Sequence, residues 1–212
     1  MLGLLCVIAE GVLASEPAPS QAAESSSSPA PRSVVESFHA VLIDCMVRSD
    51  ELGFEGRAQR IAKSQDETFD IPEIARTSIL RGWKRLDTEE RTRWVALARQ
   101  YWASKYAHEY PSFSGQNFET LGVEPASDEE VMVHARLARP NAGDVELDYR
   151  LRQVDGDWRI IDLHIAGGRS EVWRHREVYY SALERRNFDS LVTEINEKIA
   201  RFRTPTNPEK SN

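Results

Sequence analysis

Residues 144–166 read DVELDYRLRQVDGDWRIIDLHIA, and this stretch decides the fold. Over 144–154 apolar and charged residues alternate. Val145, Leu147, Tyr149 and Leu151 fall on one side, and Glu146, Asp148, Arg150 and Arg152 on the other. A period of two with one apolar face is that of a half-buried antiparallel strand. Asp155-Gly156 then supplies two adjacent residues that tolerate positive φ, which a two-residue hairpin turn requires. The chain therefore returns as a second strand over 158–166.

Working outward from this hairpin, Val131, Val133, Ala135 and Leu137 alternate in a further strand, and 116–123 is a weaker fourth. Before residue 116 the period is helical. Ser33 with Glu36 three residues on has the form of a capping box, and behind it Val34, Phe38, Val41, Leu42 and Cys45 share one face. A second helix is expected over 56–67. Asp70-Ile71-Pro72-Glu73 opens a short helix carrying Ile74, Ala75 and Ile79. Asp87 with Glu90 opens the longest, whose face is Trp94, Leu97, Ala98 and Tyr101, ending at or before Pro111. After the sheet, Val172, Arg176, Tyr179, Tyr180 and Leu183 return to helical spacing from Ser170. Asn187 suits a left-handed helix end, and Asp189 would cap a last helix through Leu191, Ile195, Ile199 and Phe202. The sum is an α+β domain: a curved antiparallel sheet of about four strands, one face covered by helices from both ends of the chain.

The chain has 212 residues, enough for one domain with tails. It is 41% hydrophobic and 29% charged, with a formal net charge of -7. That balance argues against nucleic-acid binding, which needs a basic surface. Residues 1–14 read as an imperfect secretory signal: a short apolar run ends in Val12-Leu13-Ala14, but no basic residue precedes it and Glu10 interrupts it. Leu5 before Cys6 disfavours a lipoprotein signal. Residues 15–32 hold four of the ten prolines and little that could be buried, the composition of a flexible linker. The folded part is then 33–202, with a polar tail over 203–212. Cys6 and Cys45 support neither a disulfide framework nor a zinc site, and Cys45 reads as a small buried helix residue.

Catalytic signatures are missing. None of His39, His108, His134, His164 and His175 falls in a zinc-binding spacing, and no nucleophile elbow, phosphate loop or dinucleotide motif occurs. Asp162 and His164 share a strand face, yet no nucleophile or metal ligand accompanies them. Gly167-Gly168-Arg169-Ser170 could hold an anion at a helix start; the simpler reading is a strand-to-helix turn with Ser170 as N-cap. Arg174-His175-Arg176 and Arg185-Arg186 read most simply as solvated helix faces, or else as contacts for anionic headgroups or an acidic partner. No catalytic residue, metal ligand or cofactor is assigned, and the chain does not read as an enzyme.

Several segments together resemble the MlaC, or toluene-tolerance, family of periplasmic phospholipid carriers. They are Phe69-Asp70-Ile71-Pro72-Glu73-Ile74-Ala75-Arg76, Gly82-Trp83, the Asp87-Thr88-Glu89-Glu90-Arg91 helix start, and Tyr106-Ala107 with Tyr110 and Phe113. They continue through Gly115-Gln116-Asn117-Phe118, Asp148-Tyr149-Arg150-Leu151, the run from Asp155 to Asp162, Gly168-x-Ser170 and Phe188-Asp189-x-Leu191. Their order and spacing cover about 33–202. The chain departs from the family pattern after the last strand, where Arg169 and Glu171 stand at positions usually apolar.

The resemblance implies that sheet and helices enclose an apolar cavity for acyl tails and leave the headgroup near solvent. Residues suited to line it are Leu147, Tyr149, Leu151, Ile161, Leu163 and Ile165 on the sheet and Trp94, Leu97 and Tyr101 on the long helix; residues of this kind are more often plain core than ligand wall. Gly168, Arg169 and Ser170 would stand at the mouth. The implied cargo is phospholipid, with broad headgroup tolerance and no cofactor. The implied place is the periplasm, between an outer-membrane lipoprotein complex and an MCE-type subunit of an inner-membrane ABC transporter, in the upkeep of outer-membrane lipid asymmetry. Three other readings stay open: a polycyclic isoprenoid lipid as cargo, a non-enzymatic adaptor for a membrane complex, and a small-molecule enzyme built around Asp162 and His164.

Overall fold

A computed structural model of the protein describes residues 29–140, 142–185 and 187–204. The expected signal (1–14), nearly all of the linker (15–32) and most of the tail (203–212) lie outside the described residues. Four helices come first: α1 (Pro31–Val47), α2 (Ser49–Thr68), α3 (Ile71–Ile79) followed by a 3-10 segment (Leu80–Arg85), and α4 (Thr88–Glu109). Four strands follow, β1 (Asn117–Pro125), β2 (Glu130–Ala138), β3 (Val145–Val154) and β4 (Asp157–Ile165), and then α5 (Glu171–Arg185) and α6 (Phe188–Phe202). The expected α+β architecture is the observed one.

The strands pair antiparallel in the order β1-β2-β3-β4. Asp155 (φ 51) and Gly156 (φ 89) form the tight turn between β3 and β4, the conformation that a two-residue hairpin matched to strand twist demands. The register shifts at Thr120/Gly122 in β1 and at Arg150/Leu151 in β3 are bulges, which bend the sheet. One face carries Val133, Ala135, Leu137, Leu147, Tyr149, Leu151, Ile160 and Leu163, all buried in the main core. α1 packs against β1, β2 and β4, and α2, α3 and α5 meet β4.

Caps explain most helix boundaries. Asp70 accepts a hydrogen bond from the Glu73 backbone N–H, and Asp87 and Glu90 form a reciprocal capping box at α4. Two expected boundaries are corrected. Ser33 is not a cap: α1 already begins at Pro31, whose fixed φ suits the first helical turn, and Glu36 bonds Arg32 instead. Asn187 is not a left-handed helix end. It is extended (φ -153) and caps α6 itself, its side chain accepting from the Ser190 N–H at 2.9 Å, which leaves Asp189 in the first turn. The second helix is longer than the expected 56–67 and breaks at Gly53 (φ 59, ψ -172), a conformation open to glycine alone.

α5 lies against α3 and the 3-10 segment, and the seam is closed at Gly82. A Cβ there would sit 2.3 Å from Leu183 Cδ2, in buried surroundings. Gly82→Ala is expected to lower stability by about 1–3 kcal/mol as Leu183 is forced from its place. Urea denaturation measures this, and an unchanged midpoint would mean that the seam yields freely.

Candidate functional site

The capped start of α4 fixes which of its residues face inward. Trp94 is 1% exposed, donates from Nε1 to the Ala75 carbonyl at 2.9 Å, and meets the Tyr179 ring of α5 edge-on, centroids 5.4 Å apart. Tyr101, one face further along α4, lies 6.2 Å from Tyr179, and its hydroxyl is 2.8 Å from His175 Nε2. Leu97 is buried beside them. On the sheet, Leu147, Tyr149, Leu151 and Leu163 project into the same core, and Ile165 is half-buried against it. Ile161 is buried but lies outside that core, because the register slips at Arg150/Leu151 and Ile160 takes the position opposite Leu151. Ile160 is therefore a core residue of the inner sheet face that alternation alone misses.

A second aromatic group lies under α1. Phe38 packs edge-on against Phe69 and Tyr106 at 4.8 and 5.1 Å. His39 stacks on Phe118 at 4.2 Å, and its Nε2 is 2.9 Å from the Tyr149 hydroxyl. Burial pushes the His39 imidazole down to about 3, so it is neutral at physiological pH. Burial likewise raises the Tyr106 and Tyr149 hydroxyls well above their ordinary value. One group of rings thus lies between α4 and α5, and the other where α1 meets α4 and the sheet.

One of the buried charges, Glu171, sits on the α4–α5 boundary. Glu171, 3% exposed at its side chain, pairs with Lys105 at 3.3 Å and with Arg174. Lys105 also holds Glu109 at 2.7 Å. Burial alone would pull the Lys105 ammonium down, but these two carboxylates outweigh it and raise it. Of the two charged residues that depart from the family pattern, Glu171 therefore turns inward as part of a latch between α4 and α5. Arg169, by contrast, is exposed on a groove beside the start of α5.

The chain passes from β4 to α5 through a tight turn. Ala166 (φ 54) and Gly167 (φ 65) reverse the chain, the Gly168 N–H donates to the Ile165 carbonyl at 2.9 Å, and Ser170 pairs back with His164. Gly168 is required sterically, since a Cβ would lie 2.8 Å from that carbonyl oxygen. Ser170 Oγ accepts from the Trp173 N–H at 2.9 Å and caps α5. The expected N-cap is present, beside a groove of about 530 Å³ lined by Thr77, Arg150, Asp162, His164, Arg169, Ser170, Trp173 and Arg176. Trp173 and Arg176 also border a second groove of about 340 Å³, with Leu80, Arg81 and Tyr180.

Asp162 and His164 lie on this groove, 3.7 Å apart. One Asp162 oxygen accepts from the Leu163 and Val172 N–H groups at 2.8 and 3.4 Å, while the other lies 3.5 Å from Arg150. The carboxylate is thus engaged in tying the start of α5 to β4. Among the described residues no group of three His, Cys, Asp or Glu side chains could hold a metal ion, and no helix is long and apolar enough to cross a membrane.

A family model described as MlaC protein matches residues 40–197. No curated protein matches the sequence. Among solved structures, the phospholipid-binding protein from Ralstonia solanacearum, determined in complex with a phospholipid, is similar at a TM-score of 0.70 and 16% identity. The match covers 82% of this chain and 96% of that one. At that identity the likeness is one of fold.

Proposed function

Since the chain belongs to the MlaC family, whose model spans most of its folded part, we propose that it is a periplasmic lipid carrier that holds phospholipid tails between its sheet and its helices. The solved structure of the same fold is that of a phospholipid-binding protein in complex with a phospholipid, which suits binding and transport rather than catalysis. The family match over 40–197 is the observation that carries the reading. It shuttles lipid between an outer-membrane lipoprotein complex and the MCE-type subunit of an inner-membrane ABC transporter, and so maintains outer-membrane lipid asymmetry.

The tails take the place between Trp94, Leu97 and Tyr101 on α4 and Leu147, Tyr149, Leu151, Leu163 and Ile165 on the sheet, with Ile161 at the edge. Admission requires α5 to part from α3 and the 3-10 segment, where packing is between side chains rather than through a strand ladder. Leu80 at that seam has φ 39 and ψ -103, a sparsely populated conformation that costs a leucine about 1–3 kcal/mol and that movement of the segment would relieve.

Magnitudes suit a carrier. Two acyl chains hold roughly 30 methylenes, so bare transfer into water costs about 24 kcal/mol at about 0.8 kcal/mol each. An apolar interior need only match the bilayer for transfer to be nearly balanced. Direction then comes from the complexes at either end, because equal affinity for two states shifts neither.

The test is transfer of a labelled phospholipid from donor vesicles to acceptor vesicles separated by a membrane that passes protein but not vesicles. The protein is expected to raise the rate in proportion to its concentration. Transfer no faster than the protein-free control would contradict the carrier reading.

A further inference from the structure

Resting on the carrier reading, we propose that the groove beside the start of α5 is a phosphate-ester site that selects anionic over zwitterionic headgroups, with Arg169, Arg176 and Arg81 as its charged contacts. The observation behind it is an imbalance. In a chain of net charge -7, the described residues that line the two adjoining grooves include four arginines, Arg81, Arg150, Arg169 and Arg176, and one carboxylate, Asp162. Arg150 lies 3.5 Å from Asp162 and offsets it. Among the described residues Arg81, Arg169 and Arg176 form no ion pair.

Their surroundings suit a phosphate. The Arg169 guanidinium lies over the Trp173 ring at 4.7 Å, which orients its plane and leaves its edge donors open to the groove. Guanidinium donors match phosphate oxygens in bidentate fashion. The N–H end of α5, a helix of 15 residues, adds a positive partial charge on the same side. His164 and the Thr77 hydroxyl complete the rim; the latter already bonds Glu73.

The placement also fits a lipid. On α5, Val172, Tyr179 and Leu183 are buried in the core, whereas Trp173, Arg176 and Tyr180 line the grooves. One helix thus presents an apolar side to the tails and a basic side to the head, at the seam where the tails would enter. A headgroup with an ammonium would bring its positive charge against three unpaired guanidinium groups. A glycerol head would not. Selectivity of this kind departs from the broad headgroup tolerance that the family resemblance implies.

The experiment loads the purified protein from vesicles holding equal phosphatidylglycerol and phosphatidylethanolamine, then extracts and quantifies the bound lipid. A second arm titrates the protein with free glycerol 3-phosphate. Enrichment of phosphatidylglycerol of roughly tenfold is expected, the size of one or two charge-assisted hydrogen bonds, and it should weaken with salt. In the lipid that the double variant Arg169→Gln, Arg176→Gln does take up, the two headgroups should fall to the vesicle ratio. Equal lipid ratios in wild type and variant would overturn the proposal. If neither takes up lipid, the carrier reading fails; glycerol 3-phosphate binding lost in the variant would then still support an anion site, and its absence or persistence in the variant would overturn it.

Discussion

Trp94→Ala is expected to lower the stability of the protein by about 4 kcal/mol, within the range of large-to-small changes in a packed core. Trp94 is 1% exposed and joins three elements: α4, on which it stands, α3 through its bond to the Ala75 carbonyl, and α5 through the Tyr179 ring. Truncation opens a cavity between these helices and leaves the Ala75 carbonyl without that donor. Both effects destabilise, and the surroundings can collapse only if α5 moves. Equilibrium urea unfolding measures the loss. A change below about 1.5 kcal/mol would mean that α5 already yields to fill such a space, and would place the movable part of the fold there.

Acid should weaken the protein through His39. The imidazole titrates near 3 when folded, because burial opposes its charge, and near its ordinary 6.5 when unfolded. The unfolded chain therefore binds the extra proton as the pH falls through 6.5, and stability declines from there down to about pH 3. At pH 5 the loss is about 2 kcal/mol relative to neutral pH, at about 1.4 kcal/mol per pH unit. His175, also lowered by burial, acts in the same direction. His134, raised mainly by its hydrogen bond to Asp148, acts in the opposite one, but it lies on the exposed sheet face where screening makes its contribution small. His39→Gln keeps a polar partner for the Tyr149 hydroxyl and removes the titration, so its stability should fall less between pH 7 and pH 5. Parallel pH profiles for the two proteins would contradict this account.

The hairpin at Asp155-Gly156, the alternation of β2 and β3 and the caps at Asp70 and Asp87 were legible because each rests on local chemistry. The β4 wall was legible only in part. Counting back from the turn pairs Leu151 with Ile160, whereas the outward Asp162 and His164 pair Leu163 with Tyr149. The two registers differ by one residue, so a bulge was implied, and with it the displacement of Ile161. Asn187 was misread because asparagine serves both a left-handed helix end and an N-cap, and only the inward turn of Phe188 decides between them.

The latch of Lys105, Glu171 and Glu109 left no local signal. It joins residues far apart in sequence, and a glutamate in a first helical turn reads as a solvated charge. Asp162, His164, Arg169, Ser170 and Arg176 of the groove were each visible in the sequence, though not as one site. Thr77 and Arg150 reach it, and Arg81 the adjoining groove, from other points of the chain, which tertiary packing alone brings together.

The central claim, that this chain carries lipid, is tested most directly by native mass spectrometry of the protein purified from its own host without detergent, followed by organic extraction of what it holds. The account predicts a population heavier than the polypeptide by one diacyl phospholipid, which extraction removes and identifies. A bare polypeptide mass, unchanged after incubation with phospholipid vesicles, would contradict it and leave an adaptor for a membrane complex as the reading of this fold.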